Sequence, residues 1–234
     1  MVINKNKQKK RRKIIIINYT AFENELSKQF SKFPKAITED LVRWLFINVH
    51  PNTEMEVPYM RSALPCTPIK IKPNKTGCFA STRMRADLVS TKDDAVIEFK
   101  CHRKTAYSTC CTATDMGAVF CDLNRLSCLA NREKYFIYVF DGRMKNYYDG
   151  VMKKHTKNCP LQMFDVSPSA VGNSFTVDKN LDGVTCSYKE FTKKAFSSFV
   201  STHKKFACFD YAIDVLYAQK IGTTDFYIIV ARVK

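Results

Sequence analysis

The chain has 234 residues, 45% of them hydrophobic, enough to bury a sizeable core as one large domain or as a domain with an appendage. Its 38 Lys/Arg against 22 Asp/Glu give a net charge of +16, which points to a polyanionic partner, nucleic acid before an anionic membrane surface. Ile14–Ile17 is too short for a signal-peptide core or a membrane span, and no other apolar run reaches spanning length, so the expectation is a soluble, intracellular protein without a membrane role, cytoplasmic or, in a eukaryotic cell, nuclear.

Residues 1–18 read as a basic tail, with seven Lys/Arg and no acid in the first 13; the rest keeps 31 basic against 22 acidic residues, so the body is basic too. Residues 19–234 read as a single domain, with a core over about 20–141 and an α+β extension over 142–234. Phe22, Leu26, Phe30 and Phe33, then after Pro34 Ile37, Leu41, Leu45 and Val49, predict one or two helices ending before His50-Pro51-Asn52. The prolines at 51, 58, 65, 68 and 73 make residues 51–80 a loop or short edge strands. A hairpin follows at Ala86–Val89 and Ala95–Phe99. Met116, Val119, Leu123 and Leu126 form the apolar stripe of a helix over Thr112–Ala130, and Tyr135–Phe140 suits a strand buried on both faces. Farther on, Phe175–Asp178, Val184–Tyr188, Phe209–Tyr217 and Phe226–Val230 read as strands, with a basic helix over 188–204.

The hairpin carries the chemistry. A turn centred on Lys92 and Asp93 sets Asp87 opposite Glu98 on one face, with Cβ atoms about 4.5–5.5 Å apart. Strand alternation adds Lys100 to that face and sends Ile97 and Phe99 to the other. Two carboxylates that close repel, and a hard divalent cation relieves them, since Mg²⁺ binds through one or two carboxylates plus substrate phosphate. A neighbouring lysine can then orient or deprotonate a water, or neutralise charge developing on phosphorus. The competing account is a surface hairpin with a cross-strand ion pair.

Helix, hairpin with Asp87 and then Glu98-Phe99-Lys100, amphipathic helix and buried strand together resemble the core of the PD-(D/E)XK nuclease superfamily over about residues 20–141. The resemblance implies a restriction-endonuclease-like α/β fold, an αβββαβ core with a mixed central sheet flanked by helices. It implies Asp87, Glu98 and the Phe99 backbone carbonyl as ligands of Mg²⁺, for which Mn²⁺ can substitute, and Lys100 as the residue that positions water. Many members add a glutamate from the first helix, and Glu39 and Glu25 both qualify here. Ala86 stands where the family name has proline, a departure that touches the match more than the chemistry. The implied activity is metal-assisted hydrolysis of phosphodiester bonds in nucleic acid, DNA before RNA, with a two-fold dimer suited to cutting a palindrome.

Weaker signals surround this one. His102 falls on the Glu98–Lys100 face and could touch a phosphate. Arg83 and Arg85, on the Asp87 side, together with Arg103, Lys104 and Arg125, are candidate contacts to the nucleic-acid backbone. Asp122 with Arg125 reads more plainly as an i,i+3 ion pair, and Trp44 as a core residue. The ten cysteines contain no Cys-x-x-Cys pair, which leaves Cys101-His102 with Cys110-Cys111 as the nearest approach to a zinc site and reduced thiols as the default. Asp178–Gly183 imitates an EF-hand start but has Lys189 where the bidentate glutamate belongs. The alternatives to a deoxyribonuclease are a basic nucleic-acid-binding protein that does not cleave, and an RNA endonuclease.

Overall fold

The computed structural model describes residues 17–58, 70–72, 75–76, 85–90, 94–103, 112–127, 129, 132–153, 160–177 and 211–234. The expected basic tail through residue 16, the strand at 184–188, the helix at 188–204, the EF-hand-like segment and Cys110-Cys111 lie outside these residues, as do Arg83 and Lys104.

Two capped helices open the fold. Asn18 Oδ1 accepts the Ala21 N–H at 3.0 Å and starts α1 (Tyr19–Lys32), whose Phe22, Leu26 and Phe30 are buried. Thr38 Oγ1 accepts the Leu41 N–H at 3.2 Å and starts α2 (Glu39–Val49). Ile17, just before the cap, is buried in the core. The strands β1 (Thr53–Pro58), β2 (Lys70–Lys72) and β3 (Lys75–Thr76) are short, in keeping with the proline density, and β2 pairs with β3 in a separate two-stranded sheet. The hairpin is β4 (Arg85–Ser90) with β5 (Ala95–His102), and Asp94 takes the left-handed turn at φ 51°.

Beyond the hairpin run α3 (Thr112–Ser127), β6 (Glu133–Asp141), α4 (Gly142–Met152), two 3₁₀ turns (Pro160–Phe164 and Pro168–Ala170), β7 (Ser174–Val177), β8 (Tyr211–Lys220) and β9 (Phe226–Val233). A mixed seven-stranded sheet in the order β1-β4-β5-β6-β9-β8-β7 results, with helices on both faces: an α/β fold. Among the described residues only β5 and β6 pair in parallel, joined by α3 as the crossover that parallel pairing needs. One core sets the α3 stripe Met116, Val119, Leu123 and Leu126 and the α4 residues Met144 and Tyr148 against one sheet face. The other packs α1 and α2 on Leu88, Ile97, Phe99, Tyr135, Ile137 and Val139.

The C-terminal region continues the sheet of the core. β9 hydrogen-bonds along β6 from Tyr135↔Arg232 to Asp141↔Phe226, and β8 and β7 continue the same sheet. The physical reason is β6 itself, whose residues from Tyr135 to Asp141 are all buried and need backbone partners on both edges. α4 was not anticipated, because Asp141-Gly142 looks like a turn. Asp141 instead caps the helix, its Oδ1 accepting the Met144 N–H at 3.1 Å, while a side chain at Gly142 would meet the Asp225 carboxylate. Trp44 is 53% exposed rather than core, since α2 buries the stripe Val42, Leu45 and Phe46 and Trp44 falls outside it.

A chain cut after Asp141 should therefore fail to fold, although it keeps the whole region 20–141. We expect it to lose the cooperative thermal transition and most near-ultraviolet circular dichroism of the full chain. A sharp transition in the truncated protein would show that β9 is dispensable.

Candidate functional site

β4 and β5 pair at Leu88↔Ile97, Val89↔Val96 and Ser90↔Ala95, the register that the hairpin reading requires. The paired residues stop one step short of Asp87 and Glu98. There the Phe99 N–H donates to Asp87 Oδ2 at 2.7 Å, so a side chain takes a donor that faces the neighbouring strand. The Asp87 carboxylate thus lies against the Glu98–Phe99 peptide. Val89 and Val96 belong to the α3-side core, and alternation from them assigns Asp87 and Glu98 to that face. Ala86 also packs on the α3 side, whereas Leu88 packs on the α2 side, so the alternation of β4 breaks at Asp87. Glu98 is buried, 2% exposed.

The break lets Asp87 reach α2, where Arg43 Nη2 stands 3.2 Å from Asp87 Oδ1. Arg43 also binds Glu39, one turn back on α2, and its Nη1 is 3.1 Å from Asp40 Oδ1. Its side chain is 11% exposed. Burial works to lower its pKa, but Asp87 first, then Glu39 and Asp40, more than offset that and raise it, so the guanidinium stays charged. Lys100 completes the group, with Nζ 2.8 Å from Asp122 Oδ2 on α3 and 3.7 Å from Glu39 Oε2. Three elements therefore meet: α2 brings Glu39 and Arg43, the hairpin brings Asp87 and Lys100, and α3 brings Asp122.

The expected residues divide accordingly. Asp87 and Lys100 are linked through Arg43 and Glu39, and of the two candidate helix glutamates it is Glu39 that joins them. Glu25 lies elsewhere, beside Lys28 on α1. His102 turns to the Tyr138 hydroxyl at 2.9 Å, which in turn meets the Tyr148 hydroxyl at 2.8 Å. Arg85 and Arg125 are on β4 and α3, but their side chains are outside the described residues, and Arg103 follows β5 half-buried. Asp122, read from sequence as a partner of Arg125, pairs with Lys100. Arg43 was not anticipated at all, although its spacing of three and four from Asp40 and Glu39 is the signal of a helical ion pair.

Among the described residues, no group of three or more His, Cys, Asp or Glu side chains is arranged to hold a metal ion. Mg²⁺ does not demand one, because it keeps several waters and binds through one or two carboxylates with substrate phosphate. The donors at hand, two carboxylates and a peptide carbonyl, fit a hard divalent cation in their chemistry. Arg43 is the group already bound to one of them. The Cys101 thiol is no rival nucleophile: burial pushes it up to about 12, so it carries no thiolate at neutral pH. No helix among the described residues is long and apolar enough to cross a membrane. Comparison with family models, with curated proteins and with solved structures gives no match.

Burial, with Lys100 and Arg143 adding positive charge, lowers His102 to about 4. Between that value and the ordinary 6.5 the unfolded chain binds the proton that the folded chain refuses, so stability is present above pH 6.5 and falls as the pH drops towards 4. His50 is shifted the same way by burial and adds to the slope. We expect His102→Gln to flatten the fall in urea-measured stability between pH 6.5 and 4, by on the order of 2 kcal/mol after solvent screening. An unchanged slope would show that His102 does not sense its burial.

Proposed function

We propose that this protein is a metal-dependent nuclease that hydrolyses phosphodiester bonds, acting on DNA before RNA. The observation that carries the reading is the convergence of Asp87, Lys100 and Glu39 at the point where the β4–β5 pairing ends. The order of elements supports it. From α2 through β1, β4, β5 and α3 to β6, adjacent strands pair antiparallel, antiparallel and then parallel, as in the αβββαβ core that the sequence resembles. The carboxyl end of a parallel strand pair is also where α/β sheets commonly present their ligands.

In this reading Asp87, Glu98 and the Phe99 carbonyl hold Mg²⁺ or Mn²⁺. When bound, the ion supplies Lewis-acid polarisation of the phosphate and a more acidic water. Lys100 positions the attacking water and donates hydrogen bonds towards charge developing on the phosphate. Asp122 and Glu39 fix the ammonium that does so, Asp122 from the buried face of α3. The basic surplus outside the site draws in the nucleic-acid backbone, with an affinity that falls steeply with salt.

A second reading is favoured by one observation. Both Asp87 oxygens already have partners, Phe99 N–H and Arg43, which suits a basic nucleic-acid-binding protein that keeps the ion-pair network for stability and cleaves nothing. Cleavage of supercoiled plasmid and of structured RNA, with Mg²⁺, with Mn²⁺ and with EDTA, separates the readings. We expect metal-dependent nicking of the plasmid, suppressed by EDTA and reduced about 10²–10⁴-fold by Lys100→Ala. Glu39→Gln should lower the rate and Glu25→Gln leave it unchanged. Protein that retains DNA on a filter yet leaves it intact with either metal would establish the second reading. RNA cut in preference to plasmid would make the enzyme a ribonuclease.

A further inference from the structure

We propose that Arg43 is the resident counter-cation of Asp87, and that a divalent ion reaches this carboxylate only by displacing the guanidinium. The inference rests on the reading of Asp87 as a metal ligand and adds what controls the occupation of that site.

Three observations carry it. Arg43 Nη2 lies 3.2 Å from Asp87 Oδ1, while the other oxygen is committed to the Phe99 N–H at 2.7 Å. A cation approaching Oδ1 therefore meets a guanidinium already there, and like charges in a space this closed repel. Next, Arg43 does not depend on Asp87 alone. Its Nη1 is held by Asp40 at 3.1 Å and its Nη2 also by Glu39, both on its own helix, so letting go of Asp87 leaves it two carboxylate partners. Last, its Nε is buried without a hydrogen-bond partner, so this guanidinium is held by its terminal nitrogens alone and is incompletely satisfied where it sits. Being charged at every accessible pH, Arg43 cannot leave by losing its proton and must leave by moving.

Exchange of this kind makes metal affinity weak while the guanidinium is in place and stronger once it is gone. The two are linked, so the free energy Arg43 gains from Asp87 is subtracted from that of the ion. Glu39 acquires a further role, because it touches both Arg43 and Lys100 and couples the displaced cation to the water-positioning lysine.

Mn²⁺ binding measured by electron paramagnetic resonance, on the full chain and without nucleic acid, tests the inference independently of cleavage. Arg43→Met should bind Mn²⁺ about tenfold more tightly than the wild type. The gain should vanish in the Arg43→Met/Asp87→Asn double variant. In EDTA, Arg43→Met should also melt below the wild type, because three carboxylates lose their shared cation, and Mn²⁺ should restore the melting temperature. Arg43→Gln, which removes the charge and keeps hydrogen-bonding capacity, serves if the methionine variant does not fold. Equal Mn²⁺ affinity in the wild type and in the Arg43 variants overturns the inference, as does a gain that survives Asp87→Asn. Plasmid cleavage run alongside tells the two failures apart. An active wild type with unchanged Mn²⁺ affinity in the variants removes only the role of Arg43, whereas no Mn²⁺ binding together with intact plasmid removes the nuclease reading as well.

Discussion

Parallel pairing of β5 with β6 sets a constraint that reaches every other part of the molecule. Two parallel neighbours cannot be joined by a tight turn, so the chain must cross the sheet, and α3 is that crossing. Once α3 lies on the sheet through Met116, Val119, Leu123 and Leu126, Asp122 stands beside Leu123 on the buried side, and its carboxylate is aimed at Lys100. On the opposite face Val42, Leu45 and Phe46 seat α2 with equal firmness, and this brings Glu39 and Arg43 to the same strand ends. The charged cluster thus owes its geometry to two apolar cores. Burying a side chain such as Phe46 or Leu123 is worth about 1.5–3 kcal/mol, whereas the partly exposed ion pairs around Asp40 are each worth at most about 1 kcal/mol.

The electrostatics of that cluster explain why β4 lets go of β5 where it does. A regular ladder would leave Asp87 and Glu98 facing each other as two anions in a largely dehydrated space, which burial makes costly unless they are paired. Ending the pairing at Leu88↔Ile97 frees Asp87 to find a peptide N–H and a guanidinium. Among the described residues, Glu39, Asp40, Asp87 and Asp122 are joined by ion pairs to Arg43 and Lys100, in a chain whose net charge is +16.

What could be read from sequence follows the strength of the local signal. The α3 stripe, the buried run of β6 and the hairpin register were legible because each depends on periodicity within one segment. α4 was hidden because Asp141-Gly142 serves a turn and a helix start equally well, and only the Asp225 carboxylate packed against Gly142 shows why glycine is there. Arg43 was hidden for another reason: on α2 it looks like half of an ordinary surface pair with Glu39, and its third carboxylate, Asp87, comes from a distant segment. The pairing of Asp122 with Lys100 was hidden because Arg125 is near in sequence while Lys100 is near only in space. The continuation of the sheet through β9 was likewise beyond local pattern, because Phe226–Val233 reads as a strand without saying which strand it joins.

Basic chain and acidic cluster act over different distances, and the difference has a consequence for substrate approach. The surplus of lysine and arginine attracts a polyanion mainly within about 8 Å, the screening length at physiological salt, and at contact the nearest groups dominate. Beside Asp87 and Lys100 those groups include the carboxylates of Glu39, Asp40 and Asp122, which repel a phosphodiester. Arg43 softens the repulsion only while it stays on Asp87. On the proposed reading, a phosphate arriving with a divalent ion would meet less repulsion, since the ion would take over the charge of Asp87 and leave the guanidinium available to the incoming anion. On that reading metal and phosphate should favour each other's entry, each lowering the electrostatic cost of admitting the other.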